Sequence, residues 1–168
     1  MSAVAIVVAL VAAQRMAELA YAAHNTRALL VRGGVETGRG HYPLFPVLHA
    51  AWLVALLLFV PAHAAIAWGW LAVFLVFQAL RLWVIVSLGA YWTTRVITLP
   101  GAPLIRHGPY RFLRHPNYVV VAGEIAVLPL AFGAWPIALI FSLFNLALVA
   151  WRIRVEEQAL APRRQAAS

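Results

Sequence analysis

The sequence contains no cysteine, no lysine and no aspartate. Without cysteine, disulfides, thiolate metal sites and cysteine nucleophiles are all excluded. Charged residues make up only 11% of the 168 residues, whereas hydrophobic residues make up 64%. An ordinary soluble domain has about a quarter of its residues charged, and a soluble fold of this size could not bury so much apolar surface. Lipid must therefore cover it, and the length predicts one domain, residues 1–168.

Apolar segments long enough to cross a bilayer, which takes about 20 residues, occur three times, at residues 2–23, 44–65 and 68–92. A further apolar stretch, residues 119–151, is interrupted by Gly133 and Pro136, which end one helix and start another. It predicts a helical hairpin with two short arms, 119–132 and 136–151. We therefore expect an all-α polytopic membrane protein with about five transmembrane helices. Residues 1–92 supply three helices and a substrate-side loop, and residues 93–168 supply a cofactor-binding loop, the hairpin and a C-terminal extension.

The arginines are distributed unevenly along the chain. Eleven of the 13 fall in every second connection between the predicted helices and at the C-terminal end. The other two connections between predicted helices contain no arginine. These eleven are Arg27, Arg32, Arg39, Arg95, Arg106, Arg111, Arg114, Arg152, Arg154, Arg163 and Arg164. The positive-inside rule makes that side cytoplasmic. Because the arginines interrupt apolar runs and form no separate soluble patch, nucleic acid is not expected as a partner.

Four charged residues lie inside predicted helices: Arg15, Glu18, Arg81 and Glu124. Charges at that depth cost a few kcal/mol each, so they usually face the bundle interior and pair. Arg15 and Glu18 are three residues apart on one helix, and Arg81 and Glu124 are a candidate cross-helix pair. Ion pairing between helices is the first interpretation of these residues, and catalysis is the alternative.

The densest polar region is residues 95–118, RVITLPGAPLIRHGPYRFLRHPNY. Its arginines alone would suit a cluster that binds lipid headgroups. However, histidine, tyrosine and asparagine alternate there with turn-forming residues, which is typical of a shaped pocket. A second polar cluster ends the last helix, where Arg152 and Glu156 are four residues apart and so share one helix face. The two clusters flank the hairpin and are expected to converge.

Residues 108–118 (GPYRFLRHPNY), followed after the hairpin by Arg152, Glu156, Glu157 and Leu160, resemble the C-terminal half of the isoprenylcysteine carboxyl methyltransferase family. This group also resembles membrane phospholipid methyltransferases and, more distantly, certain sterol reductases. The resemblance implies an S-adenosylmethionine site made without a Rossmann fold, at the cytoplasmic face. By position it implies ten cofactor-binding residues: Ala102, Pro103, Leu104, Ile105, Tyr110, His115, Pro116, Asn117, Tyr118 and Glu156. Arg152 would lie beside the methyl acceptor as the catalytic and substrate-binding residue, and its neighbour Trp151 is a second candidate for substrate contact.

The N-terminal half resembles a bacterial branch of this family, through residues 15–19, 24–27, 33–43 and 48–49. That branch is associated with type III polyketide synthases and O-methylates alkylpyrone or alkylresorcinol-type lipids. The resemblance therefore implies a bacterial inner membrane enzyme whose substrate comes from the bilayer, with a functional link to such a synthase. Methyl transfer requires no metal, and His24, His41 and His49 lack the spacing of a metal site.

Three functions remain open from the sequence. The first is an S-adenosylmethionine-dependent O-methyltransferase acting on an alkylpyrone or alkylresorcinol-type hydroxyl or on an isoprenylcysteine carboxylate. The second is a phospholipid N-methyltransferase, for which Arg152 is a poor neighbour because the acceptor is a cation. The third is a non-enzymatic membrane scaffold or transporter, which fits less well because a transport path would place polar residues through the core.

Overall fold

The computed structural model describes residues 2–102 and 105–165, with only the backbone described for His41 and residues 161–165. Its helices are α1 (Ala3–Val31), α2 (Leu44–Phe59), α3 (Trp68–Leu88), α4 (Pro116–Leu130) and α5 (Trp135–Gln165). The strands are β1 (Val35–Thr37) and β2 (Val96–Thr98), and single 3-10 turns cover Arg39–His41, Gly89–Tyr91 and Gly108–Arg111. Connections rich in arginine join the helices at one end of the bundle, which we call the arginine-rich end.

Helix α1 continues eight residues beyond the predicted end at Ala23. Asn25, one of the polar residues beyond the predicted end, makes tertiary contacts instead of ending the helix. Asn25 is 4% exposed, and its side-chain amide donates to the carbonyl oxygens of Gly89 at 3.1 Å and of Trp92 at 2.9 Å. Helix α1 is thereby fixed to the connection that follows α3.

The predicted hairpin is present, but its arms differ from the prediction. Helix α4 ends at Leu130, and Gly133 takes a left-handed conformation with φ 70°, which suits glycine after a helix end. Pro136 then lies in the first turn of α5, where its missing N–H costs nothing. The second arm was predicted too short, because α5 extends over 31 residues to Gln165.

Three helical stretches are long and apolar enough to cross a membrane: Ala3–Val31, Trp68–Tyr91 and Trp135–Leu160. Helices α2 and α4, of 16 and 15 residues, are shorter than the range of about 17 to 25 residues that a crossing takes. Crossing by all five helices therefore stays a prediction. The apolar surface nevertheless indicates an integral membrane protein.

Helix α4 lies between α3 and α5 and makes its closest approach at Gly123. A Cβ atom at this position would overlap the ring of Phe77 on α3. Its neighbours Ile125 and Leu128 are fully buried, in a core shared with Trp52 of α2. The missing side chain thus lets α3 and α4 pack closely at the middle of α4.

The four intramembrane charges form one buried network. The predicted pairs are both confirmed, Arg15 with Glu18 at 2.9 Å and Arg81 with Glu124 at 3.1 Å. Arg15 also pairs with Glu124 at 2.7 Å, and Arg81 with Glu18. Because two arginines face two glutamates, the network is neutral and ties α1, α3 and α4 together.

A two-stranded antiparallel sheet, which the sequence did not predict, adds to the helices. Strand β1 pairs with β2 so that Val35 faces Thr98, Glu36 faces Ile97 and Thr37 faces Val96. Most of these residues are β-branched, which favours strands. The sheet fastens the loop after α1 onto the segment that leads toward α4.

Candidate active site

A cavity of about 690 Å³ opens at the arginine-rich end of the bundle. Its walls come from strand β2, the turn around Tyr110, the start of α4 and the end of α5. Two polar clusters that lie far apart in the sequence therefore meet on one surface, as predicted. Side chains that line the cavity include Arg95, Arg106, Arg111, Arg114 and Arg152, so the cavity favours anionic groups.

Tyr118, Arg152 and Glu156 form a hydrogen-bonded cluster on the cavity wall. Arg152 donates from Nε to the Tyr118 hydroxyl at 2.9 Å, and that hydroxyl donates to Glu156 Oε2. Tyr118 belongs to the first turn of α4, whereas Arg152 and Glu156 share one face of α5. The hydroxyl therefore couples a buried cation to a carboxylate across two helices.

His115 precedes α4 and faces the same carboxylates. Its ring lies 3.6 Å from Glu156 Oε1 through Nδ1 and 3.5 Å from Glu157 Oε1 through Nε2. It also stacks on Tyr118, with the ring centroids 5.6 Å apart. Hydrogen bonding to Glu156 raises the pKa of His115 above its ordinary value of 6.5. The site thus holds a histidine that keeps its proton more firmly than a free imidazole does.

Arg152 is 7% exposed and is held from three directions. Besides Tyr118, it contacts the backbone carbonyl of Thr94, to which Nη2 donates at 2.6 Å. Its guanidinium carbon lies 5.0 Å from the centre of the Phe45 ring. An arginine offers five N–H donors, and two of them are used in these contacts. A planar cation fixed in this way is suited to holding an oxygen anion.

The loop after α1 supports this arrangement through Glu36, whose side chain is only 3% exposed. Its carboxylate accepts from Arg95 at 3.0 Å and from Arg39 at 2.9 Å. Arg95 in turn lies over the Tyr42 ring at 4.7 Å, and the Tyr42 hydroxyl bonds the Thr94 hydroxyl at 3.2 Å. Residues of the N-terminal half are thereby linked to the segment that holds Arg152.

Burial affects a second tyrosine of the predicted motif. Tyr110 lines the cavity, and its burial, aided by the negative charge of Glu156, raises the pKa of its hydroxyl above the ordinary value. Tyr110 is therefore neutral across the physiological range and presents an aromatic face that favours cations.

Seven of the predicted site residues line the cavity: Ile105, Tyr110, His115, Asn117, Tyr118, Arg152 and Glu156. Three predicted residues do not line it, namely Ala102, Pro116 and Trp151. Pro116 is buried and starts α4, whereas Trp151 is 48% exposed, because one residue along a helix turns the side chain by about 100°. Pro103 and Leu104 lie outside the described residues. The roles of these residues toward a ligand stay predictions.

Strand β2 and its neighbours in sequence line the cavity, although none of these residues was named as a site residue from the sequence. They are Trp92, Thr93, Val96, Ile97, Thr98 and Leu99. The run of β-branched residues from Val96 to Thr98 was a signal for a strand, but the partner strand lies about sixty positions earlier and was not recognisable from the local pattern. Within the described ranges, no three His, Cys, Asp or Glu side chains are grouped closely enough to hold a metal ion.

Comparison with known proteins identifies relatives along about nine-tenths of the chain. The sequence profile of the Isoprenylcysteine carboxyl methyltransferase (ICMT) family matches residues 70–162, more than half of the chain. The chain is 38% identical to the uncharacterized protein YpbQ of Bacillus subtilis (strain 168) over 159 residues, 92% of this chain and 95% of that protein. It is 26% identical to an uncharacterized protein of Haemophilus influenzae over 158 residues, 91% of this chain and 92% of that protein. No solved structure matches.

Proposed function

Because the chain belongs to the isoprenylcysteine carboxyl methyltransferase family, and is thus a membrane methyltransferase, we propose that it transfers a methyl group from S-adenosylmethionine to an oxygen of a lipophilic acceptor. The observation that carries this proposal is the cluster of Tyr118, Arg152 and Glu156 on the cavity wall. It combines a carboxylate for a cationic ligand group with a buried arginine for an anionic one.

The cavity residues fit the cofactor. A volume of about 690 Å³ falls within the range of about 300 to 1,000 Å³ of small-molecule sites. Asn117 lines the cavity, and its buried Oδ1 has no hydrogen-bond partner among the described residues, so it is able to accept from a ligand N–H or O–H. Glu156 would hold the amino group, and protonated His115 would face the carboxylate. When bound, the cofactor supplies an electrophilic methyl group.

The chain's own contribution is positioning. Arg152 would hold the acceptor oxygen in its ionised form, and Tyr118 and the Thr94 carbonyl fix the orientation of the guanidinium. Holding two reactants in line is worth up to about 7–11 kcal/mol of the barrier. Aromatic faces such as Tyr110 favour a cation and, by burial, exclude water from it.

We propose that the acceptor is the hydroxyl group of an alkylpyrone or alkylresorcinol-type lipid. The alternative oxygen acceptor is the carboxylate of an isoprenylcysteine. A type III polyketide synthase is the proposed functional partner that would supply such lipids. By the positive-inside rule, the arginine-rich end and the C-terminus would face the cytoplasm, where the cofactor is made, and the membrane would be a bacterial inner membrane.

Calorimetric titration of the purified protein with S-adenosylmethionine tests the cofactor site. We expect the His115→Ala and Glu156→Ala variants to bind about tenfold or more weakly, since each loses a charged contact worth about 1.5–3 kcal/mol. A matched control is His63→Ala, which removes an exposed histidine between α2 and α3 that does not line the cavity. Unchanged affinity in both site variants would contradict the assignment.

Labelled cofactor offered with alkylpyrone, with isoprenylcysteine and with phosphatidylethanolamine, in separate reactions, tests the acceptor. Label on an oxygen acceptor supports the proposal. Label on phosphatidylethanolamine alone would instead identify an N-methyltransferase.

A further inference from the structure

The connection between α1 and α2, residues 32–43, contains a buried carboxylate that the proposed reaction does not use. Glu36 lies in strand β1, and its side chain is 3% exposed. It pairs with Arg95 Nη1 at 3.0 Å and with Arg39 Nε at 2.9 Å. The described lining of the first cavity includes Arg95 and leaves out Glu36 and Arg39. Glu36 therefore lies behind the cavity wall and reaches the cavity through Arg95.

Strand formation does not explain a carboxylate at this position. Strand β1 pairs with β2 through backbone groups, and glutamate is depleted in strands, whereas the neighbouring Val35 and Thr37 are β-branched and favour them. Burying a carboxylate also costs free energy unless the carboxylate is paired and hydrogen-bonded. The side chain of Arg39 is 74% exposed, and an ion pair with so exposed a group contributes little. The contact with Arg95 is therefore the one that accounts for the buried charge.

From Arg95 a series of contacts leads to the arginine that would hold the acceptor. The guanidinium carbon of Arg95 lies 4.7 Å from the centre of the Tyr42 ring, and the Tyr42 hydroxyl bonds the Thr94 hydroxyl at 3.2 Å. The backbone carbonyl oxygen of Thr94 accepts from Arg152 Nη2 at 2.6 Å. These contacts join Glu36 to Arg152, and each of them restrains the next group in the series.

The ion pair of Glu36 and the hydroxyl bond of Tyr42 act on the same short segment before β2. Thr94 and Arg95 are adjacent in the chain, and the Thr93 hydroxyl donates to the Arg95 carbonyl oxygen at 2.7 Å. If Arg95 were released from Glu36, the segment that carries the Thr94 carbonyl would lose an attachment to the connection between α1 and α2. The guanidinium of Arg152 would then be held less firmly.

We infer that Glu36 is a positioning residue for Arg152. Through Arg95, Tyr42 and Thr94, it holds the guanidinium in the orientation in which it meets the ionised acceptor. This inference rests on the proposed function, in which Arg152 holds the acceptor oxygen, and it extends that site to the N-terminal half of the chain. Since Glu36 acts on Arg152, its loss should affect the acceptor and leave the affinity for S-adenosylmethionine unchanged.

Glu36→Gln tests the inference, and Arg39→Gln is the matched control because it removes the exposed partner of the same carboxylate. The assay is steady-state methylation of an alkyl hydroxypyrone by the protein in nanodiscs. We expect Glu36→Gln to raise the KM for the acceptor about tenfold, the lower end of the effect of losing one hydrogen bond to a charged group, with kcat unchanged. Arg39→Gln should resemble the wild type. A fall in kcat at unchanged KM, or equal effects of the two variants, would overturn the inference.

Combination with Arg152→Gln separates positioning from general damage. If Glu36 acts through Arg152, the double variant Glu36→Gln/Arg152→Gln should have the same KM as Arg152→Gln alone, because the group that Glu36 positions is already gone. Effects that multiply in the double variant would overturn the inference. Tyr42→Phe deletes one hydroxyl and keeps the ring beside Arg95, so it tests the same series of contacts if Glu36→Gln does not fold. It should show the same rise in KM and the same lack of additivity.

Nuclear magnetic resonance of the protein labelled with ¹⁵N-arginine observes Arg152 without any methyl transfer. The Nε–H signal of Arg152, identified by its loss in Arg152→Gln, reports the bond to the Tyr118 hydroxyl at 2.9 Å. We expect Glu36→Gln and Tyr42→Phe to shift this signal and to speed its exchange with water about tenfold, and Arg39→Gln to leave it unchanged.

The two kinds of measurement distinguish failure of the positioning role from failure of the proposed function. A changed Arg152 signal in a protein that transfers no methyl group to any acceptor would support the positioning role while contradicting the proposed activity. An Arg152 signal that is the same in the wild type, Glu36→Gln and Tyr42→Phe would overturn the positioning role itself.

Discussion

Replacing Tyr118 by phenylalanine removes a single hydroxyl that bonds two charged groups of opposite sign. The hydroxyl accepts from Arg152 Nε at 2.9 Å and donates to Glu156. The aromatic ring, which stacks on His115 with centroids 5.6 Å apart, is retained. The variant therefore separates the hydrogen-bonding role of Tyr118 from its packing role.

The magnitude follows from the partners. A hydrogen bond to a charged group contributes about 1.5–3 kcal/mol, and both bonds of the Tyr118 hydroxyl are of this kind. If one of them is replaced by water and the other is lost, the loss is about 1.5–3 kcal/mol, which is about 10-fold to 100-fold in an equilibrium or rate constant. We expect kcat/KM to fall by this factor, because the orientation of Arg152 toward the acceptor depends on the bond.

The assay is initial-rate methylation by the protein in nanodiscs, with calorimetric titration of the cofactor in parallel. The control is Tyr21→Phe, which also deletes a phenol hydroxyl, but from a residue of α1 that is 41% exposed and does not line the cavity. If Tyr118→Phe and Tyr21→Phe retain equal kcat/KM and equal cofactor affinity, the coupling of Arg152 to Glu156 through Tyr118 has no part in the function.

Three further outcomes are expected. Glu124→Gln leaves two buried arginines short of a counter-charge and should destabilise the protein by about 3–5 kcal/mol; thermal unfolding in detergent measures this, and an unchanged midpoint would refute a structural role for the network. The pKa of His115 is raised above its ordinary value of 6.5 in the folded protein. The stability and the anion affinity that protonated His115 contributes are therefore fully present below pH 6.5, and they are lost as the pH rises through the higher pKa of the folded protein. Cofactor titrations across this pH range should show a loss of affinity that the His115→Gln variant lacks. Gly108 has φ 58°, and a Cβ atom there would overlap Ser87, so Gly108→Ala should displace the turn that lines the cavity and weaken cofactor binding. Gly101→Ala is the control for backbone strain alone, because Gly101 has φ 73° and open space around it.

The sequence predicted the parts of the fold that are determined by residues a few positions apart. Apolar runs located the helices, and Gly133 with Pro136 located the hairpin turn, because a left-handed residue and a missing N–H act within a few residues. The ends of α1 and α5 were missed, since tertiary contacts such as those of Asn25 continue a helix that polarity alone would end. The β1–β2 sheet was missed for the same reason, as its partners are distant in sequence.

The candidate site was predictable where its residues share a helix face. Arg152 and Glu156 are one turn apart, and both line the cavity. By contrast, the contacts of Phe45 and Thr94 with Arg152 arise because three distant parts of the chain meet at one end of the bundle, and no local pattern predicts that. The buried ion pairs could be predicted in part. Opposite charges inside predicted helices predicted two of the pairs, but they did not predict that all four residues join in one network.

The proposed role of Arg152 would favour an oxygen acceptor over a nitrogen acceptor, and it also predicts how the loss of Arg152 would appear. Positive charge growing on a nitrogen about 4 Å from the guanidinium would be repelled by about 4 kcal/mol at an effective dielectric constant of about 20, and an ionised oxygen would be attracted by a similar amount. However, the charge of that oxygen is neutralised during methyl transfer, so the attraction is stronger before the transition state than in it. Under the proposed function, Arg152 would therefore act by binding and orienting the ionised acceptor and would not activate it. Its replacement by glutamine should raise the KM for the acceptor much more than it lowers kcat in steady-state kinetics, whereas a dominant fall in kcat would assign Arg152 to the transition state instead.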